Sequence, residues 1–286
     1  GGSTAIRAAG DGQAAAREIA GTIPFSADEI RSLVTKAEHY TELGQSPNRI
    51  VHREELAEGI VEITVNAPLI ARSAKAGQFV RVLHSEKGEL IPLTLADWDV
   101  DEGTITLVIQ GLGSSSMMIN SMQVGEALAG VAGPLGLPSQ LHRYENGETV
   151  VFTAGGVGLP PVYPIMREHL RLGNHVTLIA GFRSSDVMFW TDPGERVEQL
   201  RAEFGDQLDV IYATNDGSYG VKGFVTGPLE QMLEQNKAGS GRLIGEVVTI
   251  GPPLMMRAVS DLTRPYGVKT VASLNSIMVD ATGMCG

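Results

Sequence analysis

The chain predicts an antiparallel β-barrel followed by an α/β domain with a parallel sheet, the pair preceded by a helical extension. Three observations carry this. From Ile50 onward, apolar and β-branched residues alternate in short runs separated by turn clusters. Beyond Glu145-Asn146-Gly147-Glu148, strand-like and helix-like runs alternate, the pattern of a parallel sheet covered on both faces. Within that second half, residues 151 to 161, Val-Phe-Thr-Ala-Gly-Gly-Val-Gly-Leu-Pro-Pro, run from an apolar strand into a glycine cluster and then a helix. The expected boundaries are 1–45 for the extension, 46–142 for the barrel, 143–270 for the α/β domain and 271–286 for a further segment.

In the extension, alanine-rich residues 3–20 favour helix despite Gly10-Asp11-Gly12. Ser26 and Glu29 have the spacing of a capping box opening a second helix to about Leu43. In the barrel, 59–65, 78–83 and 104–109 read as strands. The second half reads as strands at 150–153, 176–180, 208–213 and 246–250, with helices at 161–172, 195–204, 226–235 and 253–263. A net charge of −11 argues against nucleic acid or an anionic membrane surface as partner. No apolar run approaches a membrane span and no leader opens the chain, so a soluble, cytoplasmic protein is expected. The single cysteine, Cys285, excludes an internal disulfide framework.

The glycine cluster reads either as a structural strand-to-helix turn or as a dinucleotide cradle. In the second case glycines admit a pyrophosphate to the backbone, and N–H groups at the start of the next helix stabilise its charge. Gln110-Gly111-Leu112-Gly113-Ser114-Ser115-Ser116, between a strand and a helical run, is either a serine-rich capped turn or a second phosphate site. Gly181-Phe182-Arg183 after the second α/β strand is a solvated turn or a ribose contact. Met255 and Met256 are more often core than cofactor contacts. The six histidines fall in no motif.

In this order, the motifs resemble those of the ferredoxin–NADP reductase superfamily. Ile91-Pro92-Leu93-Thr94 stands where that family has an Arg-x-Tyr-Ser or Arg-x-Tyr-Thr flavin motif. The resemblance implies an FAD whose isoalloxazine is lined by Pro92, Leu93 and Thr94, with Thr94 as the catalytic hydrogen-bond donor to the ring. Ile91 replaces the arginine that meets the flavin phosphate, so Gln110, Gly113, Ser115 and Ser116 are expected to hold it. Ala132-Gly133-Pro134-Leu135-Gly136 resembles the family's interdomain linker. Gly155, Gly156, Val157, Gly158 and Pro160 match its pyridine-nucleotide loop, with Arg183, Asp216, Gly217, Gly251 and Pro252 as further nucleotide contacts. NAD(H) is preferred over NADP(H), because the turn at Arg183 offers one cation and the acidic Asp186.

Together with residues 273–286, these motifs are most similar to the small FAD-carrying subunits of NADH-dependent reduced ferredoxin:NADP oxidoreductase, near relatives of dihydroorotate dehydrogenase electron-transfer subunits. That resemblance implies a [2Fe–2S] cluster with Asp280 and Cys285 as its first two ligands, carboxylate oxygen being a competent iron ligand. Residues 2–16 resemble the closing helix of glutamate-synthase small-chain-type flavoproteins. The expectation is therefore a fragment of a fusion, or a subunit of such a partner, with ferredoxin as a further partner in a complex able to bifurcate electrons. Two other readings stand beside this one: a free-standing flavin reductase feeding an oxygenase or a haem protein, and a docking subunit that has lost its cofactors.

Overall fold

The computed structural model describes residues 26, 28, 31, 32, 47–86 and 88–274. The chain divides into two compact units, 1–47 and 48–286. In the first, Asp28, Arg31 and Ser32 are helical and exposed, and Arg31 pairs with Asp28 at 3.2 Å. The expectations for residues 3–20, Glu29, Asp280 and Cys285 lie outside the described residues.

The second unit opens with six antiparallel strands: β1 (Ile50–Ala57), β2 (Ile60–Asn66), β3 (Phe79–Leu83), β4 (Leu90–Asp99), β5 (Thr104–Gln110) and β6 (Gly130–Leu135), in spatial order β1-β2-β5-β4-β3-β6. Bonds between residues 48–50 and 125–128 bring the sheet round towards closure. Two short helices, α1 (Pro68–Ser73) and α2 (Ser114–Ser121), accompany it. Ile63, Val65, Val80, Val82, Leu95, Ile105 and Leu107 fill the interior. β4 changes partner along its length: 90–94 pair with β3 and 95–99 with β5. Over 90–94 one edge is therefore unpaired, which is where Pro92, without an N–H, is tolerated in a strand.

The α/β part comprises β7 (Thr149–Gly155), a 3₁₀ turn (Gly156–Gly158), α3 (Leu159–Arg171), β8 (His175–Phe182), α4 (Arg196–Phe204), β9 (Leu208–Thr214), β10 (Val221–Lys222), α5 (Thr226–Lys237), β11 (Ile244–Ile250), α6 (Pro253–Thr263) and β12 (Thr270–Ala272). Its strands are parallel in the order β10-β9-β8-β7-β11-β12. Strand alternation splits β7 between two cores. Val150, Phe152 and Ala154 pack with α3 and α4, and Val151 packs with α5 and α6. Helix α3 starts at Leu159, two residues before the sequence pattern suggests, because Pro160 and Pro161 fall in its first turn, where helical N–H groups have no intrahelical partner anyway. Ile60, Ala76 and Ala96 of the barrel join the α3 core, so one apolar cluster runs from the α/β part into the barrel wall while the barrel interior stays a cluster of its own.

Candidate functional site

The three glycines of the 155–158 loop do different things. A Cβ on Gly158 would stand 2.1 Å from the Ile250 carbonyl oxygen, and one on Gly155 would stand 2.6 Å from Met255 Sδ and 2.9 Å from Pro252 Cδ. These two are required by the close approach of the loop to the end of β11 and the start of α6. Gly156 differs: it holds φ +52°, and nothing lies within 4 Å of its Cβ position. An L-residue is disfavoured there by its backbone alone. Gly156 and Val157 are half-buried and so face a space a ligand can enter. The N–H donors of this cradle are those of 156–158. The expected contribution from amides at the helix start is reduced, since Pro160 and Pro161 have none.

The neighbouring motifs converge on the same end of the sheet, where the strand C-termini lie. Gly251, on the loop after β11, would place a Cβ 3.0 Å from the Gly155 nitrogen; Pro252 is exposed and caps α6. Met256 is buried, and Met255 packs over Gly155. Gly181 is explained by packing, its Cβ position lying 2.5 Å from Val225 Cγ1, while Arg183 beyond it is exposed. The loop after β9 is zipped to that turn: Asn215 N–H donates to the Phe182 carbonyl at 3.1 Å and Ser185 N–H to Ser218 Oγ at 2.8 Å. Asp216 accepts from the Ser218 hydroxyl at 2.7 Å and the Ser218 N–H at 3.0 Å, and these bonds hold its carboxyl below the usual range. Gly217, at φ +81°, turns the chain over Lys222.

In the barrel, strand alternation separates the expected flavin contacts. Register puts Thr94 opposite Phe79 and Pro92 opposite Arg81, so these four share a face. Ile91 and Leu93 point the other way and pack on the barrel core. A planar ring along one face of 90–94 thus meets either Pro92 and Thr94 or Leu93 through side chains, and the rest through backbone. At the 110–116 turn, the hydroxyls expected to hold phosphate are already engaged. Ser116 Oγ accepts from the Leu112 and Gly113 N–H groups at 3.0 Å each and donates to the Gly113 carbonyl at 2.9 Å. Ser115 is buried and donates to Glu89 at 3.1 Å. What remains open is backbone: Gly113 has no neighbour within 4 Å of its Cβ position, and the first-turn amides of α2 follow it, with Gln110 exposed beside them. Both loops leave open space beside backbone N–H groups, the chemistry a phosphate needs.

A third cluster, which the sequence did not suggest, ties the barrel to the α/β part. Asp97 of β4 accepts from Arg167 of α3 at 2.7 Å on one oxygen and from Arg196 of α4 at 2.6 Å on the other. The first oxygen also takes the Trp98 N–H at 2.9 Å. Glu62 of β2, only 5% exposed, accepts from Arg196 at 2.9 Å and from Trp190 Nε1 at 2.9 Å. The guanidinium of Arg167 lies 5.4 Å from the rings of both Trp98 and Tyr163, and that of Arg196 lies 4.9 Å from Trp190. Burial pushes the Tyr163 hydroxyl up, as does Asp97, while the two guanidiniums oppose them. For Arg196, burial pulls downward, but the Glu62 bond and the charges of Glu62 and Asp97 outweigh it and leave the group raised. Trp190 is buried at φ +63°, a conformation that costs a bulky residue on the order of 1–3 kcal/mol. Among the described residues, no group of three His, Cys, Asp or Glu side chains converges as a metal site. None of their helices is long and apolar enough to cross a membrane.

A barrel beside a parallel sheet, with a glycine cradle at the sheet's C-terminal end, defines an NAD-binding oxidoreductase of the ferredoxin reductase fold. The profile of the oxidoreductase NAD-binding domain matches residues 152–261. The dihydroorotate dehydrogenase B (NAD(+)) electron transfer subunit homolog of Thermotoga maritima is 35% identical over 243 residues, which covers 85% of this chain and 79% of that one. An "uncharacterized protein in adh 3' region" of Clostridium beijerinckii is 38% identical over 242 residues, covering 83% and 77%. The solved structure of an NADH-dependent reduced ferredoxin-NADP oxidoreductase matches with a TM-score of 0.73 at 33% identity, over 84% of this chain and 80% of that chain. The chain belongs to this family of electron-transfer subunits within the ferredoxin reductase superfamily.

Proposed function

We propose that residues 48–274 form the NADH-accepting, FAD-holding module of an electron-transfer subunit that serves a partner flavoprotein in the cytoplasm. The observation that supports the reading is Gly156, held at positive φ with open space at its Cβ position, between two glycines, 155 and 158, that packing closes. Gly156, Val157 and Gly158 receive the nucleotide pyrophosphate through their amides, and Gly155, Pro160, Gly251 and Pro252 hold the loop in shape. Arg183, Asp216 and Gly217 form the rim for the adenosine ribose; the turn after β8 offers one cation, Arg183, followed by the acidic Asp186, which favours NADH over NADPH. Pro92, Leu93 and Thr94 present the flavin ring's edge to the nucleotide, with the Thr94 hydroxyl donating to it. Gln110 and the amides of Ser115 and Ser116 hold the FAD phosphates, and Gly113, its N–H already given to Ser116, admits them by lacking a side chain. FAD, when bound there, supplies the conversion between a two-electron hydride donor and one-electron acceptors. The chain's own contribution is positioning, since a hydride step needs alignment more than an acid or a base.

Asp280 and Cys285 are the proposed protein ligands of a [2Fe–2S] cluster, and a glutamate-synthase small-chain-like flavoprotein, with ferredoxin, is the proposed partner set. The test is anaerobic: protein incubated with FAD and freed of excess is mixed with NADH. A yellow protein whose flavin absorbance bleaches supports the reading. Protein that takes up no flavin sinks it in favour of a docking subunit.

A further inference from the structure

The two motifs assigned above to flavin and nucleotide sit on two elements, β4 and α3, that pack on each other. Thr94 lies three residues before Asp97 on β4, roughly 10 Å along a strand. Gly158 lies nine residues before Arg167, about 13 Å along the helix axis. At their far ends the two elements meet in the Asp97–Arg167 bond of 2.7 Å. Each carries a cofactor motif at one end and a rivet at the other.

Apolar packing at this interface is non-directional and permits sliding. The ionic lattice does not. Asp97 is occupied on both oxygens by guanidiniums from two different helices, and Arg196 spans Asp97 and Glu62 at 2.6 and 2.9 Å. Paired charge-assisted bonds of this kind fix angle as well as distance. Two guanidiniums and two carboxylates cancel in charge, so the lattice is not an anion site in its own right. Trp190, held at positive φ and bonded to Glu62, shows that the loop before α4 adopts a disfavoured backbone to complete it.

We propose that this lattice is a positioning device: acting through Asp97, it sets the separation and angle between the flavin edge of β4 and the nucleotide cradle at the start of α3. The proposal rests on the functional reading of those two motifs. In this reading Arg167, Arg196 and Asp97 bond to one another and to their neighbours, not to a cofactor. They act by registering the two elements that do.

The chain provides its own probe, because both of its tryptophans, Trp98 and Trp190, lie in the lattice. The experiment compares wild type with R167K, R196K and D97N. Three quantities are measured: acrylamide quenching of tryptophan emission in flavin-free protein; FAD content and NAD⁺ dissociation constant; and the rate of anaerobic flavin reduction per bound flavin at saturating NADH. Loosening the lattice is expected to raise the quenching constant severalfold, to slow reduction about tenfold or more, and to leave FAD content and NAD⁺ affinity within about threefold. The lysine variants keep the charge while losing the fork, so they read the same quantities if D97N does not fold. Unchanged reduction rates alongside raised quenching overturn the proposal and leave the lattice as interface adhesive. A wild type that binds no flavin, or is not bleached by NADH, overturns the functional reading instead.

Discussion

His169 should carry a separable share of the stability this protein loses as pH falls; His175, whose pKa burial also lowers, is common to the reference protein below and cancels. The His169 imidazole lies in α3, 1% exposed, edge-on to Phe152. Asn174 bridges it: its Nδ2 donates to the His142 carbonyl at 2.7 Å and faces His169 Nδ1 at 3.0 Å, while its Oδ1 accepts the Tyr144 N–H at 2.8 Å. The two backbone partners fix which end of the amide is NH₂, so Nδ1 must accept and the ring proton sits on Nε2. A second proton would confront the Asn174 NH₂. Burial pushes the His169 pKa down to about 4, against the pull of Glu246 and with His142 and Lys269 reinforcing it. In the unfolded chain the value is about 6.5. Because the folded value is the lower one, the stabilisation is fully present above about pH 6.5 and is lost as pH falls towards about 4. At about pH 5 the unfolded imidazole has been protonated over roughly 1.5 pH units that the folded one has not. At about 1.4 kcal/mol per unit, this removes about 2 kcal/mol relative to about pH 7.5. Urea unfolding followed by far-UV circular dichroism at both pH values measures it, with H169Q as the non-titrating reference. Carboxylates common to both proteins cancel in the difference. The reasoning fails if wild type and H169Q lose stability equally between the two pH values.

Two further substitutions separate fold from ligand. G158A drives a methyl into the Ile250 carbonyl at 2.1 Å and should cost about 2–4 kcal/mol in thermal unfolding. G156A meets no neighbour and should cost only about 1 kcal/mol for its backbone, yet weaken NADH binding at least tenfold by titration. In S116A, two amides lose their acceptor, which should remove about 1 kcal/mol and lower the melting temperature by a few degrees. FAD affinity should change less than threefold, because the hydroxyl is already committed within the chain; a larger loss would make that hydroxyl a direct ligand.

Much of the architecture was legible because it is local. Period-two runs such as Ile60–Asn66 and Thr104–Gln110 read as strands, and the β–α alternation after Gly147 read as a parallel sheet, since each depends on neighbours within a few residues. The glycine loop was legible as a motif but not in its division of labour. Whether a glycine avoids a clash or opens a ligand space depends on Ile250 and Met255, about a hundred residues away in sequence. The start of α3 at Leu159, two residues before the pattern suggests, reflects how well Pro160 and Pro161 both fit a first helical turn. Hydroxyls in Gly-Leu-Gly-Ser-Ser-Ser looked like phosphate ligands because sequence does not reveal which are already bonded. The Asp97–Arg167–Arg196–Glu62 lattice left no sequence signal: its bonded partners are 70 to 134 residues apart and none belongs to a motif. His169 went unassigned for the same reason, its meaning lying in Asn174 and the backbone at His142.

The two closed glycines change how descent within this family should be interpreted. Gly158 is locked by the end of β11, and Gly155 by Pro252 and Met255 at the start of α6, whether or not a nucleotide ever arrives. A lineage that abandoned nucleotide binding would keep them under selection for folding alone, and its loop would still look intact. Position 156 has no such obligation. Drift there, while 155 and 158 hold, would be the first mark of a copy that has kept its shape and given up its chemistry.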